Sequence, residues 1–277
     1  MSPDQPAKPP QEVGAEPVTP RDPAQLSHLA VNRRLIVRRA LLASALGGLV
    51  PVPIMDELVA GRVRAGLYMK LAASRQVDLP APAAEVMAEG KGSSALRNIT
   101  LTAATLVALK LAWRKFFALL AAGRGAEDMA TIFQTATLID HYCAKLHVGG
   151  PITRPQAAEL RELIYQSVTR TSKTKLVNAF REGGKILGRS VVEAPRWMSR
   201  SLTRYAERWL HTSGHPEAAP NWPPDESEEE RTWLDRAAHA VEESLAGLGN
   251  DYLGGLIDDF EAAWRKKQTP PVGTPQP

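Results

Sequence analysis

Residues 40 to 73 decide the fold and read ALLASALGGLVPVPIMDELVAGRVRAGLYMKLAA. In the first part a small residue stands at every fourth position, at Ala40, Ser44 and Gly48. This spacing places the small residues on one helical face and permits close approach of a second helix. Pro51 and Pro53 then interrupt the helix, because proline fixes φ and biases the preceding residue away from the α conformation. The stretch therefore predicts two helices joined at a proline corner.

The second helix of this pair begins close to Asp56, three positions after Pro53. A carboxylate in the first turn suits the positive end of the helix dipole. Asp56 could alternatively pair with Arg62 or Arg64 at the corner, and we favour the first-turn role. Pro51, Pro53 and Asp56 form the predicted structural corner.

This corner resembles the EcsC and YcjF type of bacterial helical domain of unknown function. The resemblance covers about residues 38 to 125 and rests on Pro51, Pro53 and Asp56 after an apolar helix of small residues. In that family the following helix ends near a Tyr-Gly pair, where this chain has Ser74-Arg75-Gln76. The resemblance implies membrane association, sometimes beside a GTPase domain, and no established chemistry.

The rest of the chain predicts helices only. Of 277 residues, 44% are hydrophobic, which is enough for a core. Apolar residues recur at helical spacing, and we find no alternating stretch typical of a strand. We predict an all-α, multi-helix bundle with a separate C-terminal helical pair and disordered termini.

Composition divides the chain into five parts. Proline-rich residues 1–25 predict a disordered tail, 26–211 a helical core domain and 212–227 a proline-rich linker. Residues 228–267 predict an acidic helical pair, and 268–277 a second disordered tail.

Several helix boundaries follow from local signals. A helix is predicted over 129–147, and Thr153 to Gln156 form a capping box that begins the next helix, with Pro155 in its first turn. Gly183-Gly184 is expected to split the stretch that follows. Near the start, the arginines Arg33, Arg34, Arg38 and Arg39 are expected on one helical face, opposite Val31, Leu35 and Leu42.

Two sequence motifs superficially resemble ligand sites. Residues 89–94 read EGKGSS, but a phosphate-binding loop needs an earlier glycine and a preceding strand, so a helix N-cap at Ser93 or Ser94 is favoured. Potential zinc ligands stand at Asp140, His141, Cys143 and His147. Only Cys143 and His147 share a helical face, so we predict a buried cysteine, ordinary histidines and no metal. We predict no catalytic residues and no cofactor, and no small-molecule substrate is evident.

A basic, aromatic stretch gives the sharpest functional expectation. Its residues are Arg181, Lys185, Arg189, Arg196, Trp197, Arg200, Arg204, Tyr205, Arg208 and Trp209. Such a stretch suits an anionic membrane surface or a protein partner, and nucleic acid is the least favoured ligand. Some of these cations could instead pair with the acidic segment, since residues 154–210 carry a net charge of +7 (12 basic, 5 acidic) and 217–261 carry −11 (2 basic, 13 acidic).

We therefore expect a non-enzymatic helical protein bound peripherally to the inner face of the bacterial cytoplasmic membrane. The lone Cys143 and the lack of a secretory signal pattern predict a reducing, cytoplasmic location and no secretion. The alternative is a soluble scaffold or adaptor that binds a protein partner, in which the apolar segments 40–55 and 99–120 are simply core.

Overall fold

The computed structural model describes residues 26–47, 53–89, 124–190, 228–246 and 249–268. Within these ranges the regular structure is helical throughout, which confirms the predicted all-α class. The helices are α1 (Ser27–Gly47), α2 (Pro53–Ser74), α3 (Ala81–Ala88), α4 (Arg124–His141), α5 (Arg154–Arg170), α6 (Thr174–Ser190), α7 (Glu228–Ala246) and α8 (Gly249–Gln268). A π-helical turn, Tyr142–Leu146, continues α4.

Helices α1 and α4 form the centre of the bundle. Helix α1 packs against α2, α4 and α7, while α4 also contacts α2, α5, α6 and α8. The buried apolar side chains of all these helices belong to one core, which includes Phe260 of α8 and Val241 of α7. The C-terminal helical pair, α7 and α8, therefore shares its core with the helices that precede residue 190. The predicted tails and the predicted linker at 212–227 lie outside the described residues, apart from Gln268, which ends α8.

The small-residue face of α1 provides the close approach that its spacing predicts. Ala40 is fully buried, and Ser44 is buried with its hydroxyl donating a hydrogen bond to the Gly125 carbonyl over 3.0 Å. A side chain-to-backbone bond of this length requires α1 and α4 to run close together at this level. Gly48 lies outside the described residues.

The arginine pairs of α1 do not lie together on one solvent-exposed face. Arg39 is only 2% exposed, whereas Val31 is 71% exposed. The prediction of a single arginine face opposite Val31 is therefore wrong. Helix α1 is covered by three neighbours, so most of its circumference is buried and a two-sided helical pattern does not apply.

Helix α2 begins at the second proline of the predicted corner. Pro53 is the first residue of α2, which places Asp56 in its first turn. Pro51 and the side chain of Asp56 lie outside what the structure describes. Arg62 pairs with Glu85 over 3.1 Å, and Arg64 donates two hydrogen bonds to the Ala88 carbonyl, over 3.2 and 3.0 Å.

Helix α2 ends in a Schellman motif whose left-handed residue is Gln76. The Val77 amide donates to the Ala72 carbonyl over 2.9 Å, and the Gln76 amide donates to the Ala73 carbonyl over 3.0 Å. Gln76 has a φ of 59°, a conformation that favours glycine. The motif reverses the chain directly after Arg75.

The next elements combine one missed helix with one confirmed boundary. Helix α3, which the sequence patterns did not predict, begins with proline in its first turn. Helix α5 begins at Arg154 with Pro155 in its first turn, and the Thr153 amide donates to the Gln156 side chain over 2.9 Å. The predicted capping box is confirmed.

Helix α6 runs without interruption from Thr174 to Ser190. The prediction that Gly183-Gly184 splits this segment is therefore wrong. Glycine in a helix interior costs about 1 kcal/mol relative to alanine, but it does not forbid the helical conformation. Burial of Leu176, Val177 and Phe180 on α6 outweighs that cost.

Candidate functional site

A cluster of hydrogen-bonded polar side chains, three of them buried, lies where α1, α2, α4 and α8 meet. We call it the polar cluster; it consists of His28, Asn32, Ser74, Arg75, Asp140, His141 and Glu261. Asp140 is fully buried and His141 is only 2% exposed. Because buried polar groups are costly unless they are hydrogen-bonded, the bonding of this cluster must be nearly complete.

An ion pair between Arg75 and Asp140 forms one half of the polar cluster. The guanidinium donates from Nε to Oδ1 and from its NH2 group to Oδ2, both over 2.8 Å. Asn32 donates to Asp140 Oδ1 over 2.6 Å and to the Ser74 hydroxyl over 2.7 Å. The carboxylate thus accepts three hydrogen bonds from two helical segments distant in sequence.

The electrostatics of this pair explain why Arg75 is needed. Asp140 is fully buried on α4, and a buried carboxylate is costly unless a cation and hydrogen-bond donors compensate its charge. The hydrogen bond to Asp140 raises the pKa of Arg75 above its ordinary value, against the opposing effect of burial. The cation is therefore permanently present and offsets the buried negative charge.

A chain of two hydrogen bonds forms the other half of the polar cluster. His28 Nε2 and His141 Nδ1 are 3.0 Å apart, and His141 Nε2 lies 2.9 Å from Glu261 Oε1. The rings of His28 and His141 are tilted by 46° with centroids 5.2 Å apart. The chain links α1 to α8 through α4, and each bond of it joins residues more than 100 positions apart in sequence. Both ring nitrogens of His141 are engaged.

The π-helical turn lies next to this cluster. It carries Tyr142, whose ring packs edge-on against Trp264 of α8 with centroids 5.0 Å apart, and the buried thiol of Cys143. Burial raises the pKa of Cys143 to about 12. Because the nucleophile of cysteine chemistry is the thiolate, this thiol is poorly suited to react near neutral pH.

Three of the four potential zinc ligands are hydrogen-bonded to other groups in the structure. Asp140 binds Arg75 and Asn32, while His141 joins His28 to Glu261. His147 faces the Tyr142 hydroxyl over 3.4 Å and the Gly150 carbonyl over 3.1 Å. In the described ranges, no three histidine, cysteine or carboxylate side chains are placed to hold a metal ion together.

The structure describes only the beginning of the basic stretch. Arg181 is half-buried on α6, and Lys185 and Arg189 follow it along the same helix. The other members of the stretch, Arg196, Trp197, Arg200, Arg204, Tyr205, Arg208 and Trp209, lie outside the described residues. Of the EGKGSS segment only Glu89 is described, and it accepts a hydrogen bond from Arg161 over 3.4 Å.

The acidic α7 contacts the arginines of α1. Asp235 pairs with Arg38 over 3.3 Å, and Glu242 pairs with Arg34 over 3.4 Å. Attraction between opposite charges therefore helps to dock α7, although α1 is the helix that supplies these cations. From the net charges alone, residues 154–210, at +7, were a possible partner of the acidic segment.

The polar cluster itself was missed by the sequence analysis. Its signal is present: Asp140 lies four residues after Ala136 and seven after Phe133, so helical spacing places it on the same face as these two apolar residues. A charged residue in an inward position needs a buried partner. Neither Arg75 nor His28 could be identified as that partner from spacing within one helix.

The polar cluster can hold and share protons, and it can fix the relative positions of four helical segments.

None of the helices in the described part is both long enough and apolar enough to cross a membrane. Comparison of the chain with protein-family models, with curated proteins and with solved structures finds no match. The resemblance to the EcsC and YcjF type of domain stays a prediction.

Proposed function

We propose that this chain is a non-enzymatic helical scaffold that binds a protein partner through its basic stretch, residues 181–209. The observation that carries this proposal is the burial of the apolar part of α1. Ala40, Leu41 and Ala43 are buried in the core, and Ser44 is bonded to Gly125 of α4. Apolar surface that is buried in the core is not exposed for insertion into lipid.

The ion pairs of α7 support assigning the partner to the basic stretch. Asp235 and Glu242 are paired with Arg38 and Arg34 of α1. Each of these carboxylates thus has a nearby cation that does not come from residues 181–209. An acidic surface on a partner would complement this stretch and accelerate association.

A second candidate is peripheral binding to the inner face of the cytoplasmic membrane. It is favoured by the composition of residues 181–209, where seven cations alternate with Trp197, Tyr205 and Trp209. Each cation close to an anionic leaflet contributes about 1 kcal/mol, and tryptophan and tyrosine suit the interface.

Liposome flotation separates the two candidates. The full chain is mixed with neutral or anionic vesicles at low and high salt, and compared with a variant that carries Arg196→Glu, Arg200→Glu and Arg204→Glu. The scaffold proposal predicts no flotation in any condition. Flotation with anionic vesicles that is weakened by salt and lost in the variant would overturn it in favour of the membrane.

Photo-crosslinking in cells provides the positive test of the scaffold. A crosslinker at Trp197 or Tyr205 is expected to capture one protein partner, and the triple arginine variant is expected to lose that capture. A matched control reverses three cations outside residues 181–209 with Arg154→Glu, Arg236→Glu and Lys266→Glu, all exposed positions. If the control loses the partner equally, net charge rather than the basic stretch is responsible.

A further inference from the structure

The two histidines of the polar cluster, buried His141 and half-buried His28, differ in the charges that surround them. The Nε2 of His141 faces the Glu261 carboxylate over 2.9 Å, and this negative charge favours a cation on the His141 ring. His28 lies in the first turn of α1, where the helix dipole disfavours a cation. The NH2 group of Arg75 also donates to the His28 carbonyl over 2.6 Å, which places a permanent positive charge beside that residue.

The hydrogen-bond chain accepts one proton without losing a bond. When both rings are neutral, His28 Nε2–H donates to His141 Nδ1, and His141 Nε2–H donates to Glu261. A proton added at His28 Nδ1 allows the Nε2 proton to move across to His141 Nδ1. His141 is then the cation, it donates to both neighbours, and its charge offsets that of Glu261.

A second proton cannot be added without breaking the chain. It must bind His28 Nε2, which then presents an N–H to the N–H of His141 Nδ1 across 3.0 Å. Two donors face each other and two cations stand side by side. Among the described residues, Arg75 and Asp140 neutralise each other, and Arg265 lies 3.6 Å from Glu261. The neighbouring Cys143 and Tyr142 are uncharged near neutral pH, since burial raises the pKa of both.

We propose that His28 and His141 form an acid-sensitive latch, in which the second proton releases the first turn of α1 from α4. The first proton strengthens the contact of α4 with α8 through Glu261. The second separates His28 from His141 and exposes Leu26 and Leu29, which are buried in the described structure. The latch therefore acts on the N-terminal end of α1 and leaves α8 docked.

Hydrogen exchange of the full chain tests the latch between about pH 5 and pH 8, the range in which histidine ordinarily titrates. The informative amides are those of residues 31–33, whose hydrogen bonds close the first turn of α1. Because opening takes up one proton, the opening constant should rise about tenfold for each pH unit of acidification, starting below the pH at which His28 titrates in the opened state and ending where His28 titrates in the closed state. Amides of α8 near Glu261 should show no such rise.

The variant His28→Gln keeps a donor for His141 Nδ1 but cannot be protonated, so its opening constant should not change with pH. The control His239→Gln removes an exposed histidine that faces Glu243 on α7, and it should keep the wild-type slope. Equal slopes in the wild type and in His28→Gln would overturn the latch. If His28→Gln does not fold, NMR titration of the wild type decides: His141 must charge first, and charging of His28 before His141 would refute the latch.

Discussion

Removal of the Asp140 carboxylate is the sharpest test of what holds the four helical segments together. In the variant Asp140→Ala, Arg75 loses the two carboxylate oxygens as acceptors and Asn32 loses one acceptor, so three hydrogen bonds of 2.6 to 2.8 Å disappear. Hydrogen bonds to charged groups contribute about 1.5–3 kcal/mol each, and three of them would sum to about 4.5–9 kcal/mol if they were independent. They share one carboxylate, so the sum is an upper bound. Breaking a buried ion pair costs about 3–5 kcal/mol, and we expect a loss of about 4 kcal/mol.

Urea unfolding followed by circular dichroism at the helical band measures this loss. Glu159→Ala serves as the control, because it breaks an exposed ion pair with Lys267 and should change the free energy of unfolding by less than about 1 kcal/mol. The double variant Asp140→Ala with Arg75→Ala should lose less than the sum of the two single variants, since neither charge is then left unpaired. The reasoning is refuted if Asp140→Ala is no more destabilising than Glu159→Ala, or if the two losses at Asp140 and Arg75 simply add.

Three further predictions concern single positions. Burial raises the pKa of Cys143 from 9.0 to about 12. At pH 8 the folded chain should therefore react with a thiol reagent at least about a hundredfold more slowly than the urea-unfolded chain. Equal rates would contradict this burial. The unfolded thiol also loses its proton first as pH rises, so this group's contribution to the free energy of unfolding should fall between pH 9 and pH 12, and Cys143→Ala should remove that part of the pH dependence. Ala40→Leu overpacks the contact of α1 with α4 and should cost about 1–3 kcal/mol in urea unfolding, whereas Val31→Leu at an exposed position of the same helix should cost almost nothing. Gln76→Gly should raise the melting temperature, because glycine adopts the left-handed conformation without strain. The net gain in the free energy of unfolding is about 0.5–1 kcal/mol. A lower free energy of unfolding would show that the glutamine side chain stabilises this turn.

Local signals allowed several helix boundaries to be predicted. The box formed by Thr153 and Gln156 begins α5, and Pro53 begins α2 with Asp56 in its first turn. In α8 the apolar residues Leu256 and Phe260 stand four positions apart, the spacing of one helical face, and both are buried. Each of these signals acts within about one helical turn, so the chain near it is sufficient to interpret it.

Predictions that depended on the rest of the fold were less successful. Arg39 is buried because α1 has three neighbours, and α6 continues through Gly183 and Gly184 because packing outweighs a modest helix penalty. The assignment of partners to charged segments also depended on the fold, since α7 pairs with arginines of α1. The basic stretch, which carries the proposed function, lies mostly outside the described residues and stays a prediction.

By itself the sequence determined an all-α chain, the beginning of α2 close to Asp56 and the capping box that begins α5, because helix periodicity, capping and proline chemistry act between near neighbours. Only the tertiary structure decided that Arg75 meets Asp140 and that His28, His141 and Glu261 form one hydrogen-bonded chain. These residues are separated by 65 to 120 positions, and no local rule of helix formation relates them. Their contacts follow from the packing of α1, α2, α4 and α8 around one core, which excludes water and requires each buried charge to find a partner.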